Sequence, residues 1–476
     1  MFKRYFPLAA LAALLTACGG GSKSSSNPPA PAPVISGTAL GQIDEFVAAQ
    51  MTRQHLPGLT LVVTRNGVPV LEKGYGMADI ASATPAKAQT IYRIGSISKQ
   101  FAAAAVLLLQ QDGKLTLDQH FAQFFPVVPP AWQDITIRQL LQHTAGLQRD
   151  FQDYLAPYYD PTRTYTADEL AQAMSSIPLQ SAPGAAHSYS NIGYYMIGLL
   201  IERVSGKPYA DFMRERMFAP LGMDTAAMLT AAPVPGVTAA GYDWNGVAWV
   251  RGDAINPGDD GAEGALRMSA QDLAKWDAAL NADRILSKAS RDLLWTPARL
   301  NDGSTVPYGL GWVLDSVNNL PYVWHNGQVN GFHSQLERHA DQGLTIIVLC
   351  NLTDGRSEHI AAGVAERIDA TLAPKIVSDP QPQIAALARG AADDLLANSF
   401  HPERYTSGAA AQLANGLFAA YASAAAGFGP IEQFGLVDSK LVDGVMTYRY
   451  LAKSRNDSAL LVLQVDGGRI SALGVM

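Results

Sequence analysis

Strand-like sequence lies near both ends of the main body of this chain, with a long helical stretch between. Leu59-Thr60-Leu61-Val62-Val63-Thr64 is apolar and β-branched, Asn66-Gly67 is a two-residue hairpin signal, and Val68 to Lys73 reads as the return strand. Strand character comes back at Gly309 to Val313, at Phe332 to Arg338 and at Leu344 to Cys350, with Asp341-Gln342-Gly343 turning between the last two. Helical periodicity marks Leu40 to Gln54, and then Phe101 to Gln111, Ile137 to Gln142, Tyr194 to Val204 and Ala270 to Leu280. Strands so far apart pair only if the two ends of the segment close on each other. The expected fold is therefore α+β: one antiparallel sheet closed by both ends, flanked by helices, with an inserted helical lobe. A cleft between sheet and lobe is the natural place for a site.

The chain has 476 residues, enough for more than one domain with a core. Hydrophobic residues make up 48% and charged residues 16%, a globular balance, and the net charge of −7 speaks against a nucleic-acid partner, which needs a basic face. Pro374, Pro380 and Pro382 mark a linker over 374–383 between a main domain, 38–373, and a C-terminal module, 384–476. The module reads as helices around Ile384 to Asn398 and Ala409 to Ala425. Strands follow at Val445 to Tyr450, Leu460 to Val465 and Arg469 to Val475. Helices followed by a curved antiparallel sheet resemble the small α+β cone of nuclear-transport-factor-like domains. No catalytic constellation is read there.

Lys3 and Arg4 precede an apolar run from Phe6 to Leu15, too short to span a bilayer. Leu15-Thr16-Ala17-Cys18 follows, and resembles a bacterial lipobox. That resemblance implies a signal peptide over 1–18, lipid attachment at Cys18 and a flexible tether over 19–37. It places the protein in the cell envelope, anchored to a membrane; Gly19 after the cysteine points to the periplasmic face of the outer membrane. The other cysteine, Cys350, sits in a buried-strand pattern and reads as a core residue. No Cys or His spacing suits a metal, and no metal or cofactor is expected.

Three short motifs carry the chemistry. In Gly95-Ser96-Ile97-Ser98-Lys99, just before a helical run, Ser96 and Lys99 stand at i and i+3 and share a helix face. A serine hydroxyl needs a base to attack, and a lysine amine serves only where its surroundings keep it neutral. Tyr189-Ser190-Asn191 offers a phenol that can relay protons and an amide that can hold Lys99 and a substrate. Trp324-His325-Asn326-Gly327-Gln328 reads as a strand edge, where Gly327 leaves room for a ligand and the Gln328 N–H can complete an oxyanion pair with that of Ser96. Ile94 and Ser98 occupy the positions where a nucleophile elbow needs glycine, which disfavours an α/β-hydrolase.

In this order the motifs resemble the penicillin-binding-protein and class C β-lactamase superfamily of serine hydrolases, over about residues 38 to 370. Leu140 to Leu147, Pro220 to Met223 and Tyr308 to Trp312 are similar to that family as well. The resemblance implies a β-lactamase/transpeptidase-like fold and a covalent acyl-enzyme on an amide or ester: a D-amino-acid or peptidoglycan-type peptide, a carboxylic ester or a β-lactam. It implies Ser96 as nucleophile, Lys99 as its partner, Tyr189 as general base and acid, and Asn191, His325, Gly327 and Gln328 as substrate-binding residues. Many relatives carry lysine where His325 stands, and a neutral imidazole attracts a substrate carboxylate less. Gly264-Ala265-Leu266 stands where the family often has Gly-Gly-Leu. His143 reads as a loop-ordering residue and His187 as a surface-loop residue; no role is read for His333. The alternative is a non-catalytic lipoprotein that binds peptidoglycan peptides or penicillin. Small-molecule or peptide substrates are the expected partners, and the oligomeric state is open.

The lipobox reading predicts that Cys18→Ala abolishes incorporation of labelled palmitate and releases the protein from the membrane fraction. Unchanged labelling and fractionation would contradict it.

Overall fold

The computed structural model describes residues 35–150, 165–254, 261–442, 445–455 and 457–475. Cys18, the signal segment and nearly all of the tether lie outside the described residues. From residue 34 onward the chain forms one compact unit.

Helix α1 (Gly37–Gln54) is capped by the Ser36 side chain, which accepts from the Ala39 N–H. Strands β1 (Gly58–Arg65) and β2 (Val68–Asp79) follow as a hairpin. Asn66 and Gly67 both have positive φ, 52° and 77°, as the type I′ turn between right-twisted strands demands. After β3 (Thr84–Pro85) the sheet is resumed by β4 (Val313–Val317), β5 (Leu320–Val329), β6 (Phe332–His339) and β7 (Leu344–Cys350). The seven strands lie in the order β4-β5-β6-β7-β1-β2-β3, all neighbours antiparallel. The closing pair is β1 with β7, Leu59 opposite Cys350 and Leu61 opposite Val348. The two ends of the segment thus meet in mid-sheet, as the strand pattern requires.

Alternation sorts the strands into two cores. Leu59, Leu61, Val63 and Val348 pack with Ile43, Phe46 and Val47 of α1 and with Ile360 and Val364 of helix α5 (Ser357–Ile368). Val62, Ile347 and Leu349 face the helical lobe on the other side. There α2 (Ser98–Gln111) is buried on every side from Ser98 to Leu109, the mark of a central helix. Helices α3 (Asn191–Ser205) and α4 (Ala270–Asn281) surround it. Buried Asp277 ties α4 to the sheet by accepting from Thr64 Oγ1 (2.7 Å), Arg338 Nε (2.6 Å) and Thr345 Oγ1 (2.9 Å).

Some expectations need correction. Gly309 to Trp312 is not strand: Gly311 has φ 76° and packs on the Lys99 carbonyl, so the chain turns there and β4 begins at Val313. The helical middle also holds short strands, of which Ile91–Arg93 pairs with Leu266–Ser269 beneath the Ser96 turn. In the C-terminal part, helices Pro382–Ala397, Ser407–Gln412 and Phe418–Ala425 cover a four-stranded antiparallel sheet: β8 (Gln433–Val442), β9 (Val445–Lys453), β10 (Ser458–Asp466) and β11 (Arg469–Val475). The first of these strands is absent from the sequence reading, because Gly435, Asp438 and Lys440 blur its alternation. The expected helix from Ala409 to Ala425 is interrupted, with Gly416 at φ 97°. Segment 374–383 runs beside β8, where the Val377 N–H donates to Leu436 O at 2.8 Å. Cys350 is buried, its thiol pushed up to about 12 by burial.

The C-terminal sheet docks through buried charge. Asp457 accepts from Arg53, from His359 Nε2 (2.9 Å) and from Gln50 Nε2 (3.3 Å). Arg449 reaches Asp315 of β4 at 3.0 Å. Removing one member of a buried pair strands the other, at about 3–5 kcal/mol. Asp457→Ala is therefore expected to destabilise the protein by about that amount in urea melts, while labelling of Ser96 by a fluorophosphonate persists. A loss below about 1 kcal/mol would show that this contact does not anchor the module.

Candidate active site

Ser96 lies in a single 3₁₀ turn, Gly95–Ile97, that leads directly into α2. The turn rests on β5 at unusually close range. A Cβ on Gly95, whose φ is 52°, would sit 3.0 Å from the Gln328 nitrogen; one on Gly327 would sit 2.0 Å from Ile94 O. Glycine at both positions lets the turn that carries Ser96 touch the strand edge. Val329 and Phe332 form the bonded pair that closes the β5–β6 hairpin, so the N–H of Gln328, one residue back, points away from β6 and toward the Ser96 turn. The Gln328 side chain turns elsewhere, to Thr353 O at 3.1 Å. Gly264 to Leu266 backs the turn from the other side: Ile94 N–H donates to Leu266 O (3.0 Å) and Leu266 N–H to Ser98 Oγ (3.2 Å).

Lys99, fully buried, projects from the first turn of α2. Its Nζ is 3.0 Å from Ser96 Oγ, 2.8 Å from Asn191 Oδ1 and 2.6 Å from Glu263 O. Burial pushes its ammonium down to about 7; the Arg149 cation adds to this, and the Glu263 and Asp150 carboxylates oppose it. The identity of the partners then fixes the geometry. An amide oxygen and a backbone carbonyl can only accept. A neutral amine gives them its two N–H bonds and keeps its lone pair for the one partner with a proton to lose, Ser96.

Tyr189 hydrogen-bonds Ser96 and is half-buried, with Lys99 Nζ 4.9 Å and the Arg149 guanidinium carbon 5.3 Å from its ring centre. Burial nevertheless drives its phenol above the usual range; Ser96 and Arg149 only partly offset this. At neutral pH Tyr189 is a proton donor, while Lys99, near its midpoint, is present in part as the amine with a free pair. Asn191 opens α3 behind the N-cap Ser190, and its Nδ2 donates to Asp150.

The sequence reading underrated a buried chain of aromatic groups that holds the second motif to the third. The Ser190 N–H donates to His143 Nδ1 (3.1 Å), which fixes that nitrogen as an acceptor. His143 Nε2 must then carry the proton and donate to the Tyr308 hydroxyl (3.1 Å). Tyr308 in turn donates to His325 Nε2 (3.0 Å), and His325 Nδ1–H closes the chain on Asn326 O (2.6 Å). Every proton is placed only if both imidazoles are neutral. Burial, with the Lys99 charge nearby, holds His143 well below the usual histidine range and His325 down to about 3, against the Asn326 carbonyl that favours its charged form. His325 is thus an interior, neutral ring with both nitrogens committed. His143 is a positioning residue for the Tyr189–Asn191 loop. His187, expected on the surface, packs against Tyr308 with ring centres 5.7 Å apart. His333 is buried with Nδ1 2.6 Å from Ser357 Oγ. Among the described residues no cluster of three or more His, Cys, Asp or Glu could hold a metal ion.

A family model described as Beta-lactamase matches residues 43–370. Penicillin-binding protein 4* of Bacillus subtilis is 30% identical over 307 residues, which are 61% of this chain and 67% of that one. The chain spans 62% to 67% of the length of the curated relatives it matches here. The octameric penicillin-binding protein homologue from Pyrococcus abyssi superposes with a TM-score of 0.61 over 90% of this chain and 94% of its own, a likeness of fold at 20% identity. The D-amino acid amidase from Ochrobactrum anthropi SV3 is 28% identical, with a TM-score of 0.57 over 70% of this chain and 97% of its own.

The chain of protons predicts the effect of Tyr308→Phe. It leaves the His143 N–H and the His325 acceptor without partners, each at about 1–3 kcal/mol. Acylation should slow about tenfold or more, and Tm should fall. Rates and Tm equal to those of the native protein would exclude the chain as a support of the site.

Proposed function

The chain belongs to the Beta-lactamase family, whose model matches residues 43–370, and on that premise we propose that it hydrolyses amides through an acyl-enzyme on Ser96. The observation that carries this reading is the set of bonds to Lys99, which leaves the amine lone pair aimed at the Ser96 hydroxyl. Lys99 takes the hydroxyl proton as Oγ bonds to the substrate carbonyl carbon. The backbone N–H groups of Ser96 and Gln328 receive the developing oxyanion. As the C–N bond breaks, Tyr189 gives its phenolic proton to the leaving nitrogen and regains one from the Lys99 ammonium. Water then cleaves the ester by the reverse path, releasing the acid and freeing Ser96.

The substrate class follows from charge. A substrate that needs its own carboxylate recognised would want a cation on β5, and His325 is neutral and turned inward. This favours an amino-acid or peptide amide over a penicillin or a D-Ala-D-Ala peptide. The 28% identity to a D-amino acid amidase points the same way. A non-catalytic binding role finds no support in an intact proton path. The lipobox supports work from a membrane anchor at Cys18, in the cell envelope.

Purified protein is expected to hydrolyse D-phenylalanine amide faster than nitrocefin. Ser96→Ala should abolish turnover, and Lys99→Ala or Tyr189→Phe should each lose about 10²–10⁴-fold. The double variant should lose much less than the product of the two, because the pair moves one proton. Turnover by Ser96→Ala at the native rate would refute the mechanism, and a strong preference for nitrocefin would refute the substrate class.

A further inference from the structure

Strand β5 has two functional faces. His325 points to the catalytic side, and its neighbour Trp324 points the other way, into a cavity, partly open to solvent, between β5, β6, α5 and the C-terminal sheet. This space continues past Tyr322 and Glu366 into a second, smaller one. Ser96, Lys99 and Tyr189 line neither.

The first cavity is lined by polar atoms that the described residues leave unanswered. Trp324 Nε1, a donor, and Gln335 Oε1, an acceptor, are both buried without a hydrogen-bond partner. Buried polar atoms are normally paired, so two of them on one cavity mark the outline of something that binds there. The charge is one-sided. Of four carboxylates on the wall, Asp457 is neutralised by Arg53 and His359, Glu337 has His339 Nε2 at 3.3 Å, and Glu358 has Arg356 Nε at 3.8 Å. Glu366 has no ion-pair partner among the described residues. Burial raises its carboxyl to about 7, against the more distant pull of Arg367 and Lys453. Apolar surface completes the wall, chiefly Leu451 and Leu460 of the C-terminal sheet.

We propose that this cavity is a second ligand site, for a small organic ammonium with an apolar body and a hydroxyl. The ammonium pairs with Glu366. The hydroxyl accepts from the Trp324 N–H and donates a hydrogen bond to Gln335 Oε1. Trp324 adjoins His325 in the chain, so an occupant bears on the strand that supplies the oxyanion donor.

The test is calorimetry on the purified protein, with Ser96 first blocked by a fluorophosphonate so that the catalytic cleft cannot contribute. The probes are D-phenylalaninol, which has all three features, 3-phenylpropan-1-ol, which lacks the charge, and 3-phenylpropanoate, which reverses it. The expected result is saturable one-to-one binding of phenylalaninol, weaker binding of the alcohol and none of the acid. Glu366→Gln should weaken phenylalaninol by about tenfold or more, as loss of a buried charge-assisted bond does. Ala362→Phe, which fills the cavity without altering charge, should abolish binding; both variants should keep the native rate of Ser96 labelling. No saturable binding, equal binding of the acid, or native binding by both variants would overturn the proposal.

Discussion

The site depends on the burial of one lysine. An amine taken out of water loses most of its preference for the proton, and here the loss brings Lys99 to about 7. Burial alone would leave an inert amine. Two acceptor-only partners, Asn191 Oδ1 and Glu263 O, orient it, so that its lone pair meets the Ser96 hydroxyl and no other group. The fold is arranged around that requirement: α2 is buried on all sides to carry Lys99, and β5 comes within glycine-only distance of the turn that carries Ser96.

The same economy of protons governs the third motif. From its motif alone His325 reads as a substrate-binding residue, with an imidazole that attracts a carboxylate only weakly. Its surroundings make it something else. Ser190, His143, Tyr308 and His325 form a directed chain of hydrogen bonds, and its end is a neutral ring tied to its own strand. The chain joins the loop that bears Tyr189 and Asn191 to the strand that bears Gln328.

What could be read from residues alone follows from how local each signal is. The i, i+3 spacing of Ser96 and Lys99, the hairpin at Asn66-Gly67 and the alternation of Leu59 to Thr64 are short-range features, and the structure has them where they were read. Tyr308 stands just before Gly309 to Val313, which reads as strand, and the left-handed Gly311 that turns the chain there is set by packing on α2, which no local pattern announces. Glu263 acts through its backbone carbonyl, so its side-chain type carries no hint of the role. His143 was placed correctly as a loop-ordering residue, but its partners come from remote parts of the chain. Strand β8 was invisible because polar residues interrupt its alternation where it meets Asp315 and segment 374–383.

The central proposal is that Lys99, as its neutral amine, is the base that activates Ser96, and its own titration tests it most directly. Protein labelled with ¹³C at lysine Cε, compared with Lys99→Arg to assign the signal, reports the protonation of Lys99 as pH is varied. The account predicts a single titration with a midpoint near 7, well below every exposed lysine. A Lys99 signal that remains that of an ammonium up to about pH 10, the range of an ordinary lysine, would contradict it.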